Sequence, residues 1–382
     1  MKKGLAVLLT LFFILTLAPG CSPQAPQPMD NTRTSDKGPD KAEADQTRPD
    51  VLGKDKKVVM GFYVEGEGLI PSSKQSLSTN SALLDEVAFF WYTFDSNGNI
   101  RGMVKQDQSA RTLAKNHNAK VYAIVNNLVP GGQGFNPDLA HQVVSNPKTR
   151  AKFVSNLVNL TTTKGWDGIS IDIERTPPGD RNNFSAFIKE LGAALKAKDK
   201  VLNVSVPAKF IDYPADLWAG AYDYAKIGQG ADQIVLMTYD EHGLGTTAGP
   251  IASHDFVDKV ISFAITKIPR EKLVQGIPVY GYDWASNKPT VPAYLSYAQA
   301  LKQAQLKGVT PIYDTETESV HYTYTQNGIR HVVYFENRRS IEAKLTYAKK
   351  YNIHGIAIWR MGMEDPSAWS AIKAVYGTNR GK

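Results

Sequence analysis

From residue 58 onward the chain alternates between two hydrophobic patterns. The first is a set of short, nearly unbroken apolar runs: VVMGFYV (58–64), EVAFFWY (86–92), KVYAIVN (120–126), GISIDI (168–173), LNVSVP (202–207), QIVLMTY (233–239), LVQGIPV (273–279) and GIAIW (355–359). The second lies between them and places apolar residues every three or four positions, as in 149–165 and 184–198. Unbroken runs suit strands covered on both faces, which is how parallel strands wrapped by helices are buried. Eight strand–helix repeats in one chain predict an α/β fold, a (β/α)8 barrel. The stretch between the seventh and eighth runs is longer than the others. It contains a helical run, 297–305, and β-like pieces over 311–335, so a small α+β insertion is expected at about 285–335, raising one wall of a cleft.

The first 53 residues follow neither pattern. Lys2 and Lys3 precede an apolar run over 5–17, which is shorter than the roughly 20 residues a membrane helix needs. Small residues and then Cys21 follow, so 1–20 reads as an export signal of the lipoprotein type, with Cys21 as the lipidated residue. Residues 21–53 are rich in Pro, Asp, Lys, Gln and Thr and nearly lack large apolar side chains. Such a segment cannot bury enough surface to fold and is expected to be a tether. The catalytic unit is then 54–382, held by lipid at the outer face of the cell membrane.

Composition narrows the function only slightly. Hydrophobic residues make up 42% and aromatic residues 10%, with six Trp and 18 Tyr, enough for a large core and for faces that stack on sugars. The formal charge of +7 is spread along the chain with no basic block, so nucleic acid is not an expected partner. A single cysteine excludes a disulfide framework, and the seven histidines form no HExxH or comparable motif, so no metal or cofactor is expected.

The chemistry concentrates at the ends of the apolar runs. In a (β/α)8 barrel the active site lies where the strands end. In the segment Asp167-Gly-Ile-Ser-Ile-Asp-Ile-Glu174, the isoleucines share one strand face, and Ser170, Asp172 and Glu174 share the other. A row of polar groups pointing into a barrel is expensive unless it is paired or used. Tyr239 and Asp240 end the sixth run, Tyr282, Asp283 and Trp284 follow the seventh, and Trp359 ends the eighth. Asp167 is expected to brace the strand entry, not to act on substrate.

These segments resemble glycoside hydrolase family 18. DGISIDIE (167–174) is similar to its D-G-x-D-x-D-x-E signature, and MTYD (237–240), GIPVYGYDW (276–284) and GIAIWRMG (355–362) match its later strands in order. The resemblance spans about 57–376 and implies a hydrolase whose nucleophile is the substrate's own 2-acetamido oxygen. It implies that Glu174 is the general acid, that Asp172 holds the acetamido N–H, that Tyr239 bonds the acetamido carbonyl, and that Asp240 supports sugar hydroxyls. Trp359 would form an apolar floor, with Tyr282, Trp284 and Ser170 as further sugar-binding positions.

One departure is informative: Ser170 stands where the signature has its middle Asp. VSVPAK (204–209), WAGAYDY (218–224) and MTYDEH (237–242) are similar to the spore-cortex-lytic N-acetylglucosaminidases of the family. The expected partner is an N-acetylated glycan, namely peptidoglycan or cortex, cut by a monomer. A chitinase, or a sugar-binding barrel without catalysis, is the alternative.

Overall fold

The computed structural model describes residues 57–66, 70–129 and 134–377. The segments expected to be a signal (1–20) and a tether (21–53), with Cys21, lie outside these residues. Eight parallel strands close into a barrel: β1 (Val58–Tyr63), β2 (Glu86–Phe94), β4 (Lys120–Asn126), β5 (Gly168–Asp172), β6 (Val201–Pro207), β7 (Gln233–Met237), β8 (Leu273–Pro278) and β14 (Gly355–Trp359), with the short β3 (Ile100–Gly102) antiparallel on β2. Closure comes from β1, which pairs with β14 on one side and β2 on the other. The eight expected runs are these eight strands, and the fold is the expected (β/α)8 barrel.

Each strand is buried on both faces, for two different reasons. Outward residues such as Ile169, Ile171 and Ile173 pack against the surrounding helices, through Leu157, Phe184, Phe187 and their neighbours. Inward residues fill the barrel: Val58, Met60, Phe62, Ala88, Tyr122, Ile124, Val235 and Ala357 form the apolar part of that filling. Aspartates brace the lower rim. Asp85, Asp167 and Asp232 each precede a strand and accept the backbone N–H of Val59, Val121 and Leu202 respectively, at 2.9–3.0 Å. Asp167 is therefore the strand brace expected of it, at the end of the barrel opposite Glu174.

The insertion is a second sheet, with strand order β10-β9-β13-β12-β11. Its strands are β9 (Tyr280–Ala285), β10 (Ala293–Ser296), β11 (Ile312–Asp314), β12 (Ser319–Gln326) and β13 (Ile329–Phe335). All of its pairings are antiparallel. The helix Tyr297–Lys307 packs on it, capped by Ser296 and ended by Gly308 in the left-handed conformation that glycine favours. The sheet begins at Tyr280, so Tyr282 and Trp284 sit on an insertion strand and not on the tip of a barrel strand. The physical reason is pairing: β9 bonds to β13 and β10, and the seventh barrel strand stops at Pro278.

Candidate active site

Glu174 lies just past the end of β5, and two contacts fix its backbone while another holds the residue before it. Asn127, immediately after β4, accepts the Glu174 N–H through Oδ1 at 2.9 Å and donates Nδ2 to the Glu174 carbonyl at 2.8 Å. Its Nδ2 also reaches the carbonyl of Asn136, which ties the β4 loop to the same point. From the other side Tyr222 donates its hydroxyl to the carbonyl of Ile173 at 2.8 Å. The chain then turns sharply, with Arg175 at φ 56°. Glu174 is thus held by its neighbours on both sides while its side chain remains half-buried at the mouth.

Asp172 and Glu174 point the same way, one pleat apart, as period-2 alternation requires. Asp172 is buried, and withdrawal from water raises its carboxyl above the usual range. Burial, followed by the charges of Asp172 and Asp240, pushes Glu174 well above its usual range. Two carboxyls this close in a poorly solvated pit cannot both ionise freely, so the pair keeps a proton where an isolated glutamate would lose it.

Tyr239 follows β7, and one edge of its ring lies close against Gly276 of β8. A Cβ at Gly276 would come within 2.7 Å of the Tyr239 ring, so this close approach requires glycine. The Tyr239 ring is nearly parallel to that of Trp359, 13° between planes and 6.4 Å between centroids. Phe62 and Phe90 hold Trp359 edge-on from below, at 5.2 and 5.8 Å. Burial and the carboxylates around it raise the Tyr239 hydroxyl, so it stays a hydrogen-bond donor. Asp240, at φ 55°, accepts the Tyr280 hydroxyl and also bonds Tyr282. Desolvation by the groups around it pushes the carboxyl up to about 6 against the opposing effect of the two tyrosines, although the residue as a whole is open to solvent.

Two expected sugar contacts are corrected. Ser170 is fully buried and donates Oγ to Asn203 Oδ1 at 2.8 Å, inside the barrel. It is two residues too deep to reach the mouth. Trp284 is 2% exposed. Its indole N–H donates to the carbonyl of Thr246 at 3.2 Å, and its ring meets Tyr282 edge-on. The loop after β7 covers it, so Trp284 backs the wall that Tyr282 presents. Asp283 faces away from the cleft, bonded to His331 and Tyr324 at 2.8 and 2.6 Å.

Asn127, Tyr222, Tyr280 and Tyr294 were not among the expected residues. Tyr294 packs on Tyr280 at 4.9 Å and on Tyr282 at 5.6 Å, so three tyrosines from the insertion surround Asp240. The polar pair Asn126-Asn127 closing an apolar run was a legible signal for one of these residues. For the tyrosines there was none: Tyr280 and Tyr294 depend on how the insertion folds back, and Tyr222 on how the loop after β6 returns to β5.

The profile of the glycosyl hydrolases family 18 matches residues 53–364. The uncharacterized glycosylase YvbX of Bacillus subtilis is 33% identical over 328 residues, covering 83% of this chain and 95% of that protein. The cortical fragment-lytic enzyme of the same species is 26% identical, covering 80% of this chain and 72% of its own length. Among solved structures, the chitinase of Chromobacterium violaceum superposes with a TM-score of 0.77 at 31% identity, covering 85% of this chain and all of that one. With the acidic pair at the end of β5, and the tyrosine and tryptophan at the ends of β7 and β14 of the same barrel, this chain belongs to glycosyl hydrolase family 18.

Proposed function

We propose that this hydrolase cuts the β-glycosidic bond after N-acetylglucosamine in peptidoglycan or spore-cortex glycan, with retention and with the substrate's acetamido group as nucleophile. The observation that carries the mechanism is the pairing of a proton-retaining Glu174 with a buried Asp172 at the same barrel mouth as Tyr239 and Trp359. Glu174 gives its proton to the glycosidic oxygen as the C1–O bond breaks. The acetamido oxygen closes on C1, Asp172 accepts the acetamido N–H and balances the positive charge that develops, and Tyr239 donates to the acetamido oxygen. Water then attacks C1 and gives up a proton to Glu174 as the bond from C1 to the acetamido oxygen breaks, leaving the product with the configuration of the substrate. Burial of the pair serves both steps, since a carboxyl that ionised easily could not act as the acid.

The substrate reading is supported by the VSVPAK, WAGAYDY and MTYDEH segments and by the similarity to the cortical fragment-lytic enzyme. A second reading, chitin hydrolysis, is favoured by the match to the full length of the Chromobacterium chitinase. The deciding experiment is digestion of peptidoglycan, spore cortex and chitin side by side, with mass spectrometry of the products and NMR of the first anomer. Products ending in reducing N-acetylglucosamine from peptidoglycan or cortex, at a kcat/KM above that for chitin, support the proposal. A preference for chitin replaces it with the second reading, and an inverted first anomer refutes the mechanism. The location is proposed on the sequence of the first 53 residues. Cys21→Ser is expected to release active enzyme into the medium, and a variant still held by the membrane would point to a different anchor.

A further inference from the structure

The loop after β6 gathers apolar surface at the mouth of the barrel. Phe210, Ile211, Tyr213, Leu217 and Trp218 are 59, 66, 62, 84 and 53% exposed. No other stretch of this length among the described residues holds more than two large exposed apolar side chains. Isolated exposed leucines need no explanation, but a cluster of five does.

The loop is firmly built. Arg181, at the start of the helix Arg181–Lys196, donates to the Gly220 carbonyl at 2.6 Å and to Asp212 at 2.7 Å, and pairs with Asp223 at 3.3 Å. Lys209 bonds Asp212 at 2.8 Å and lies 4.8 Å over the ring of Tyr224. Asp216 accepts the backbone N–H groups of Trp218 and Ala219 at 2.8 and 2.6 Å. Gly220 closes the turn where a Cβ would meet two carbonyl oxygens at 2.4 Å. The polar groups form the frame of the loop, and the large apolar groups are held outward. Such pre-organisation lowers the entropy lost on binding.

Its position indicates what it meets. β6 lies between β5, which leads to Glu174, and β7, which leads to Tyr239. The loop's end is bound to the Glu174 strand through Tyr222 and Ile173. In the closed barrel β14, with Trp359, is as far from β5 as a strand can be, whichever way round the order is followed. A sugar seated over Trp359, with its leaving oxygen toward Glu174, therefore directs the rest of the glycan toward β5 and the strands on either side of it, β4 and β6, and of these the loop after β6 carries the exposed apolar cluster.

We propose that residues 210–218 are a platform for the sugar rings on the leaving-group side of the scissile bond, with the Trp218, Tyr213 and Phe210 rings stacking on their apolar faces. The assignment rests on the reading of Glu174 as the acid. A glycan strand is favoured over a lipid surface because the chain enters the barrel at Lys57, at the opposite end. Pressing the mouth onto a bilayer would close the cleft and bring Asp212, Asp216 and Asp223 against the headgroups. A second copy seated on the loop would likewise obstruct the cleft.

The test compares wild type with Trp218→Ala in the full chain, using Tyr213→Ala as a second variant should the first lower the Tm. Two readouts are taken. One is the ratio of kcat/KM for undigested glycan strands to that for an aryl chitobioside, whose leaving group is only the dye. The other is retention on insoluble peptidoglycan. The ratio is expected to fall about tenfold, the scale of one aromatic contact, and retention with it. An unchanged ratio, or equal loss on both substrates, overturns the proposal. So does a variant whose ratio holds while liposome binding or self-association is lost. If wild type cleaves neither substrate, the proposed function fails independently and retention alone decides: loss in the variant keeps the platform, and equal retention removes it.

Discussion

Glu86, at the start of β2, and the Asp172–Glu174 pair, at the end of β5, are carboxyl groups at opposite ends of one barrel, and burial raises the proton affinity of all three. Glu86 is sealed in. One of its oxygens accepts the Tyr122 hydroxyl at 2.7 Å and Gln233 Nε2 at 2.8 Å, while the other is buried with no hydrogen-bond partner. From Gln233 the network runs through Asn203 to Ser170, just below the site. Asp172 and Glu174 instead lie at the mouth of a cleft that also holds the parallel rings of Tyr239 and Trp359. A perturbed carboxyl is therefore not in itself a site. Access to a ligand and a set of groups shaped around it separate the upper pair from the lower residue.

The sharpest way to break the comparison is to remove each acid in turn. Glu174→Gln keeps shape and loses the transferable proton, so turnover should fall roughly 10²–10⁴-fold with the fold intact. Near-normal turnover would remove Glu174 from the mechanism. Asn127→Ala should come next, because it frees the Glu174 backbone on one side. A displacement of about 1 Å can lower rate about 100-fold. As a positioning effect it should appear in kcat far more than in KM, with Asn127→Gln recovering less than full activity because the longer side chain cannot hold both backbone groups in the same geometry. A loss confined to KM would contradict that role.

Glu86→Gln should leave kcat/KM within about twofold and act on stability instead. The sign follows from the raised proton affinity of the folded state. The contribution of Glu86 is fully present below its unfolded pKa and is lost as pH rises through the folded value. Thermal melts should therefore show the variant gaining on wild type as pH rises above the usual carboxyl range, with little difference in acid. The opposite trend would mean that Glu86 is ionised when folded. Ser170→Ala should have the smallest effect on catalysis, within about twofold in kcat/KM. It should destabilise by about 1 kcal/mol, since Asn203 loses a donor in a closed network. A large loss of rate without loss of Tm would restore Ser170 to the substrate-binding set.

Much of this protein was legible in one dimension. The eight apolar runs became the eight barrel strands because a strand covered on both faces must be apolar throughout, whatever its partners. The facing of Ser170, Asp172 and Glu174 follows from a period of two, and Asp167 bracing the strand entry follows from its place just before a strand. What the sequence could not settle was depth and partnership. Ser170 and Asp172 lie on the same face of one strand, yet Ser170 is locked to Asn203 and Asp172 approaches the cleft, because the barrel interior closes between them. Trp284 was expected at the cleft and is covered instead, because β9 pairs within the insertion and the β7 loop folds over it. Asn127 acquires its role only once β4 and β5 lie side by side, and Tyr280, Tyr282 and Tyr294 meet Asp240 only through the return of the insertion. The sequence by itself determined strands, facing and the type of chemistry, which are local properties of period and residue type. The tertiary structure alone decided which polar groups are sealed and which can be reached, because solvent access depends on contacts between segments far apart in the chain.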